Sequence, residues 1–121
     1  MTHEYIGTKI VTAWPQQKEG KPGYGVKYSD GYTSWSPKEQ FEESYLDIGH
    51  VSGKPAFLQR LIGEKAQLDS NFKKLDAFIS GDAFAALDFD QKDLMREQLE
   101  LMQCLSDCLG KRILFAEANA A

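Results

Sequence analysis

Apolar positions follow two different periods along the chain. From Pro55 onward Leu58, Leu61, Leu68, Phe72, Leu75 and Ile79 recur in steps of three and four, with Lys65 the only polar interruption. That spacing predicts an amphipathic helix of about 25 residues with a heptad-like seam. Ser80-Gly81-Asp82 ends it, and Asp82 to Leu87 adds a helical turn carrying Phe84. A second long helix is expected from Asp90, read as its N-cap, with Asp93 in the first turn where negative charge suits the helix dipole. Its seam reads Leu94, Gln98, Leu101, Leu105, Cys108, Arg112 and Phe115.

Before Pro55 the chain has another character. Both tryptophans lie there, and Tyr5 to Trp14 is rich in β-branched and aromatic residues up to Pro15, as in a strand. Gln16 to Pro22 is polar and reads as an exposed loop. Tyr24 to Trp35 holds two strand-like arms around Asp30-Gly31, a two-residue hairpin signal of the type I′ kind. That turn pairs Lys27 with Ser34 and Val26 with Trp35. Val26, Tyr28, Thr33 and Trp35 then share a core face, while Lys27, Ser29, Tyr32 and Ser34 share the other. Ser36-Pro37-Lys38-Glu39 reads as a capped start for a short helix through Ser44, and Asp47 to Lys54 as a linker.

The expected fold is therefore α+β: a small N-terminal antiparallel β-sheet followed by two long antiparallel α-helices. Residues 1–121 form a single domain, with 1–54 the sheet region and 55–121 the helical hairpin. Two helices and a hairpin cannot cover both seams, so self-association is expected.

Composition narrows the functional classes. Lys plus Arg count 14 against 18 Asp plus Glu, a net charge of −4, which argues against a binder of duplex DNA. No apolar run is long enough for a membrane span, and the N-terminus lacks a signal-peptide pattern, so the expected setting is cytoplasmic. Cys104 and Cys108 share a helix face without further ligands, and read as buried small hydrophobes rather than a metal site. No nucleophile motif or phosphate loop is present, and His3 and His50 stand alone, so neither catalysis nor a cofactor is expected.

Two features invite a ligand. Arg112 projects from the seam of the last helix, with three outcomes open to it: snorkelling past the helix end, pairing with a carboxylate such as Glu97 or an Asp of a partner chain, or binding a phosphate, which its planar fork suits. Copies of Arg112 gathered on a symmetry axis would repel unless an anion sat between them. In the first half, Trp14, Tyr24, Tyr32 and Trp35 are many rings for so small a sheet. A ring left open would stack a base, worth ~1–3 kcal/mol, with Lys27 placed for a phosphate. Trp35 is expected in the core and Trp14 near a rim.

Tyr5 to Ile10, Gly23 to Tyr28 and Asp30 to Lys38 resemble small bacteriophage proteins with an N-terminal sheet. Glu64-Lys65, Lys74 to Phe78, Asp82-Ala83-Phe84, Glu97-Gln98-Leu99 and Leu109 to Ile113 resemble a phage helical-hairpin family that includes anti-CBASS sponges for cyclic oligonucleotides. Together they are similar to the Thoeris anti-defence protein 1 family. That resemblance implies a sponge in the cytoplasm of an infected bacterial host. It would bind and sequester glycocyclic ADP-ribose signals from TIR-domain enzymes without cleaving them, with cyclic di- or trinucleotides as further ligands. It also implies a dimer that builds into a hexamer, a trimer of dimers. Arg112 in the Lys-Arg-Ile segment carries over as a phosphate ligand, with Lys27 as a basic strand residue. Gln91 and Glu97 would meet an adenine edge or ribose hydroxyls, and Phe84 and Trp14 would stack the base. Cys108 departs from the pattern, standing where a second arginine would strengthen a trinucleotide pocket. The expected pocket lies where sheet and helices meet, completed by a second chain and by the free N–H groups opening the last helix. The alternatives are a sponge for cyclic oligonucleotides only, and an assembly or adaptor protein that binds no nucleotide.

Overall fold

The computed structural model describes residues 1–119. The elements are β1 (Thr12–Pro15), β2 (Gly23–Lys27), β3 (Thr33–Pro37), α1 (Lys38–Ser44), α2 (Ala56–Ile79), α3 (Asp82–Ala85) and α4 (Phe89–Asn119). They divide into two compact units, Met1–Asp47 and Ile48–Ala121. A three-stranded antiparallel sheet and two long packed helices match the expected fold class.

The sheet has strand order β1-β2-β3. The first hairpin turns at Glu19 (φ 52°) and Gly20 (φ 77°), with Lys18 and Lys21 exchanging N–H···O bonds of 3.0 Å. A tight two-residue turn thus stands inside the segment read as a polar loop. The second hairpin is looser than Asp30-Gly31 suggested. Gly31 N–H donates to the Tyr28 carbonyl at 2.9 Å, and Tyr28 N–H donates to the Tyr32 carbonyl at 2.9 Å. Gly31 alone has positive φ (91°), and the Asp30 carboxylate accepts from Tyr32 N–H at 2.9 Å. The connection is a three-residue loop, a turn closed by a left-handed glycine.

The extra loop residue shifts the expected register by one. Lys27 pairs with Thr33, Val26 with Ser34 and Gly25 with Trp35. Because side chains alternate, that shift moves Trp35 to the face opposite Val26. Trp35 joins Lys27, and also Trp14, whose cross-strand partner is Gly25. β1 is shorter than expected, beginning at Thr12 rather than Tyr5, since Thr12 already pairs with Lys27, the last residue of β2. Residues further upstream find no strand to pair with.

Helix α1 packs on the Val26 face. Tyr24 stacks on Phe41 at 4.5 Å between centroids, Phe41 stacks on Tyr45 at 4.8 Å, and Val26 is 1% exposed. The Tyr24 hydroxyl donates to Glu42 at 2.6 Å. The expected Ser36 cap is not made: Ser36 is a β3 residue paired with Tyr24, and α1 follows directly from Pro37.

In the second unit α2 and α4 run antiparallel. Leu58 and Leu61 from the start of α2 bury against Leu109 near the end of α4, with Ile62, Leu68, Ile113 and Ala116 around them. The α2 seam is as read from the sequence. The α4 seam is not. Its covered positions are Met95, Leu99, Met102, Ser106, Leu109, Ile113 and Ala116, one position round the helix from the expected set. The start of α4 also differs: the Asp88 carboxylate, not that of Asp90, caps the helix by accepting from Gln91 N–H at 2.8 Å. That carboxylate occupies the place expected to receive a ligand's phosphate.

Candidate functional site

Lys65 interrupts the α2 seam for a reason the packing makes plain. Its ammonium donates to Asp69 at 2.7 Å, and Ser106 of α4 donates to the same carboxylate at 2.5 Å. The stem of Lys65 crosses α4 at Gly110, where an added Cβ would stand 3.3 Å from Lys65 Cε. Two open grooves flank this polar bridge. One, of about 390 Å³, takes in Ile48, His50, Lys54, Asp69 and Glu117; the other, of about 530 Å³, takes in Ser106, Asp107, Gly110, Lys111 and Leu114. Lys65 lines both.

The bond from Lys65, and then that from Ser106, holds the Asp69 carboxyl below its ordinary value. A depressed folded-state pKa contributes stability above the unfolded value, and that contribution is lost as pH falls through the folded one. The melting temperature of the parent should therefore fall toward that of Asp69→Asn on acidification through the carboxylate range. Parallel melting curves that keep a constant gap down to the lowest pH would contradict this.

The outer face of α4 carries the residues expected in its buried seam. Leu101 is 62% exposed and Phe115 73%, and Leu94, Leu105, Cys104 and Cys108 are exposed with them. The cysteines are thus surface residues, a correction to their reading as buried hydrophobes. α4 is apolar on two faces, and α2 covers only one. Arg112 and Glu97 both fall on the uncovered face, about 20° and 40° round the helix from Leu101. On one helix they stand fifteen positions apart, a rise of about 22 Å, and Gln91 lies about 31 Å from Arg112 along the axis. No compact cyclic nucleotide spans either interval.

At the other end of the hairpin Phe84 is 5% exposed, its ring edge-on to Phe78 at 6.4 Å. Arg96 lies 5.1 Å from its centroid and Lys92 5.8 Å. Neither cation was singled out from the sequence, because their link to Phe84 runs through the α3 turn rather than through helical spacing. Gln91 and Glu97 are exposed on the same stretch of α4.

In the sheet unit Trp14 and Lys27 share a face. Thr12 pairs with Lys27 and Trp14 with Gly25, so the two side chains are diagonal neighbours. Trp14 is 40% exposed. Trp35, expected in the core, is half-buried on this face.

The protein-family comparison matches residues 55–115 to Sequestin, from the residue before α2 to within the last turns of α4. The chain belongs to the Sequestin family. Sequestin membership points to a phage anti-defence sponge, a protein that sequesters a signal rather than converting it. The matched segment holds Lys65, both flanks of its bridge, Phe84, Gln91, Glu97 and Arg112; Trp14 and Lys27 precede it. No curated protein and no solved structure is matched by the chain. Among the described residues no group of three His, Cys, Asp or Glu could hold a metal, and no helix is long and apolar enough to cross a membrane.

Proposed function

We propose that this chain binds and sequesters a cyclic nucleotide signal, a glycocyclic ADP-ribose of the kind made by TIR-domain enzymes, at a site completed by pairing two copies through the outer face of α4. One observation carries the reading. Arg112 and Glu97 lie on the exposed apolar stripe Leu94–Phe115, equidistant in sequence from its midpoint. A two-fold axis through that midpoint makes the stripe its own antiparallel partner and sets Arg112 of one copy beside Glu97 of the other. The guanidinium fork then meets phosphate oxygens, while the carboxylate accepts from ribose hydroxyls. Lys111 lines the adjoining groove beside Asp107, and Lys65, which also lines it, is held by Asp69. Gln91 offers an amide to a base edge, and Phe84, from beneath, holds Arg96 and Lys92 at that end of α4. Such dimers would assemble further into hexamers, and the defence blocked would be Thoeris immunity in the cytoplasm of the infected cell.

The same geometry favours one rival, in which Arg112 and Glu97 form an ion pair within an assembly protein that holds no nucleotide. Titration calorimetry of the full chain against glycocyclic ADP-ribose isomers and cyclic di- and trinucleotides separates the two. Heat release and mass analysis of the liberated ligand should follow. Saturable binding of a glycocyclic isomer with intact release is the expected result. Binding of cyclic oligonucleotides alone would make it an anti-CBASS sponge. A chemically altered ligand would make it an enzyme, and no binding would leave the ion-pair reading.

A further inference from the structure

The sheet unit has one face covered by α1 and one that carries both tryptophans. Trp14 and Trp35 are each the cross-strand partner of Gly25, from opposite sides of β2. Their backbones are therefore about 10 Å apart. Glycine is required beneath them. A Cβ at Gly25 would collide with the indole of Trp14, and one at Gly23 with the indole of Trp35 and the Ser36 carbonyl. The rings thus lie down on the sheet rather than standing away from it. Both are pinned there through one residue, since Trp14 Nε1 donates to the Gln16 side chain at 2.8 Å and Trp35 Nε1 to the Gln16 carbonyl at 2.8 Å. With its N–H partner supplied and its lower face on glycine, each indole is a fixed platform whose rotamer entropy was lost on folding rather than on binding.

Three lysines gather about this face. Lys18 stands over the Trp35 ring at 5.6 Å, and Lys27 is exposed beside Trp14 on the shared face. Lys21 is exposed at the turn end of the β1–β2 ribbon. Glu39, Glu42 and Glu43 belong to α1, which packs on the opposite face and also carries Lys38; Lys9 stands over the Tyr28 ring at 4.7 Å, Glu19 lies in the turn between Lys18 and Lys21, and Asp30 in the second turn. The chain's net charge of −4 hides this local group of lysines.

From this we infer that the Trp14–Trp35 face is a second binding site, separate from that of the hairpin, for single-stranded nucleic acid, with bases stacked on the indoles and phosphates met by Lys18, Lys21 and Lys27. Stacking platforms in an open sheet beside a line of cations fit a strand that lies across the surface. An open face offers a small free nucleotide no enclosure, whereas a strand engages both rings at once. Duplex DNA keeps its base faces inside the stack and gains nothing from the indoles.

The test is fluorescence anisotropy of a labelled oligothymidylate of roughly ten nucleotides on the full-length protein, with tryptophan quenching recorded alongside. Saturable binding is expected, with log K falling against log salt at a slope of about −2 for three phosphates. Trp14→Ala should weaken it by about fivefold to a hundredfold. Lys27→Gln, an exposed change that leaves the sheet folded, should weaken it and flatten the salt slope. Saturating glycocyclic ADP-ribose should not displace the oligonucleotide, so this site survives or fails independently of the signal site. The inference is overturned if the oligonucleotide does not bind at low salt. It is equally overturned if both variants bind it as well as the parent, or if duplex or a mononucleotide binds as tightly as the strand.

Discussion

Arg112→Glu is expected to abolish signal retention and to disperse the assembly together. In the proposed two-fold pairing the new carboxylate faces Glu97, and like charges brought together where water is excluded cost several kcal/mol. The loss of a fork on phosphate adds to this, so affinity for the signal should fall by about 30-fold or more. Both arms are readable: sedimentation for the assembly, calorimetry for the ligand. The decisive variant reverses both charges. Glu97→Arg with Arg112→Glu restores the opposite-charge pair across the axis, and the assembly should return. Signal binding should return only in part, because the guanidinium then projects from the opposite helix and presents its fork to the phosphate from another direction. Full recovery of assembly in a parent that never bound nucleotide would establish the structural ion pair instead. A single Arg112→Glu variant that assembles normally would remove the pairing itself.

Leu58→Ala should be the most damaging small change to the fold. Leu58 is 1% exposed and packs with Leu61 and Leu109 at the open end of the hairpin, away from the α3 turn. Truncating a buried leucine costs about 2–5 kcal/mol, through lost burial and the cavity left behind. Against a typical domain stability of roughly 5–15 kcal/mol that is a large fraction. Urea titration should show a lower midpoint with little change in slope. Leu101→Ala is the informative contrast. On an isolated chain an exposed leucine is worth within about 0.5 kcal/mol, but in an interface its loss weakens association, and the effect then depends on protein concentration. A Leu101→Ala penalty that is the same at low and high concentration would argue against the outer face of α4 as an interface.

Much of the fold could be read directly from spacing. The α2 seam from Leu58 to Ile79, the stop at Ser80-Gly81, the turn carrying Phe84 and the short helix ending at Ser44 all follow from local pattern and breakers. These are properties of a few adjacent residues, and the amphipathic period of α2 has a single apolar face to offer. The α4 seam was of another kind. Leu94, Leu101, Leu105 and Phe115 on one side compete with Met95, Leu99, Leu109 and Ile113 on the other. Periodicity alone ranks the two faces equally, and the choice was made by what α2 could pack against.

The candidate sites divided in the same way. The ligand-binding chemistry of Arg112, Glu97, Lys27 and Trp14 is legible from side-chain type and placement in the chain. Which of them share a surface is not. At the second hairpin, two loop residues or three make equally good sense of Ser29-Asp30-Gly31, yet the third residue reverses the face of Trp35. Cap choice between Asp88 and Asp90 likewise turned on where α3 ended. The sequence by itself determined the elements, their order and the likeness to signal-sequestering sponges, because those depend on short-range pattern and on side-chain type. Only the tertiary structure decided the register of the sheet, the buried side of α4 and hence which charges stand beside which rings, because each is a contest between near-equal local options that long-range packing resolves.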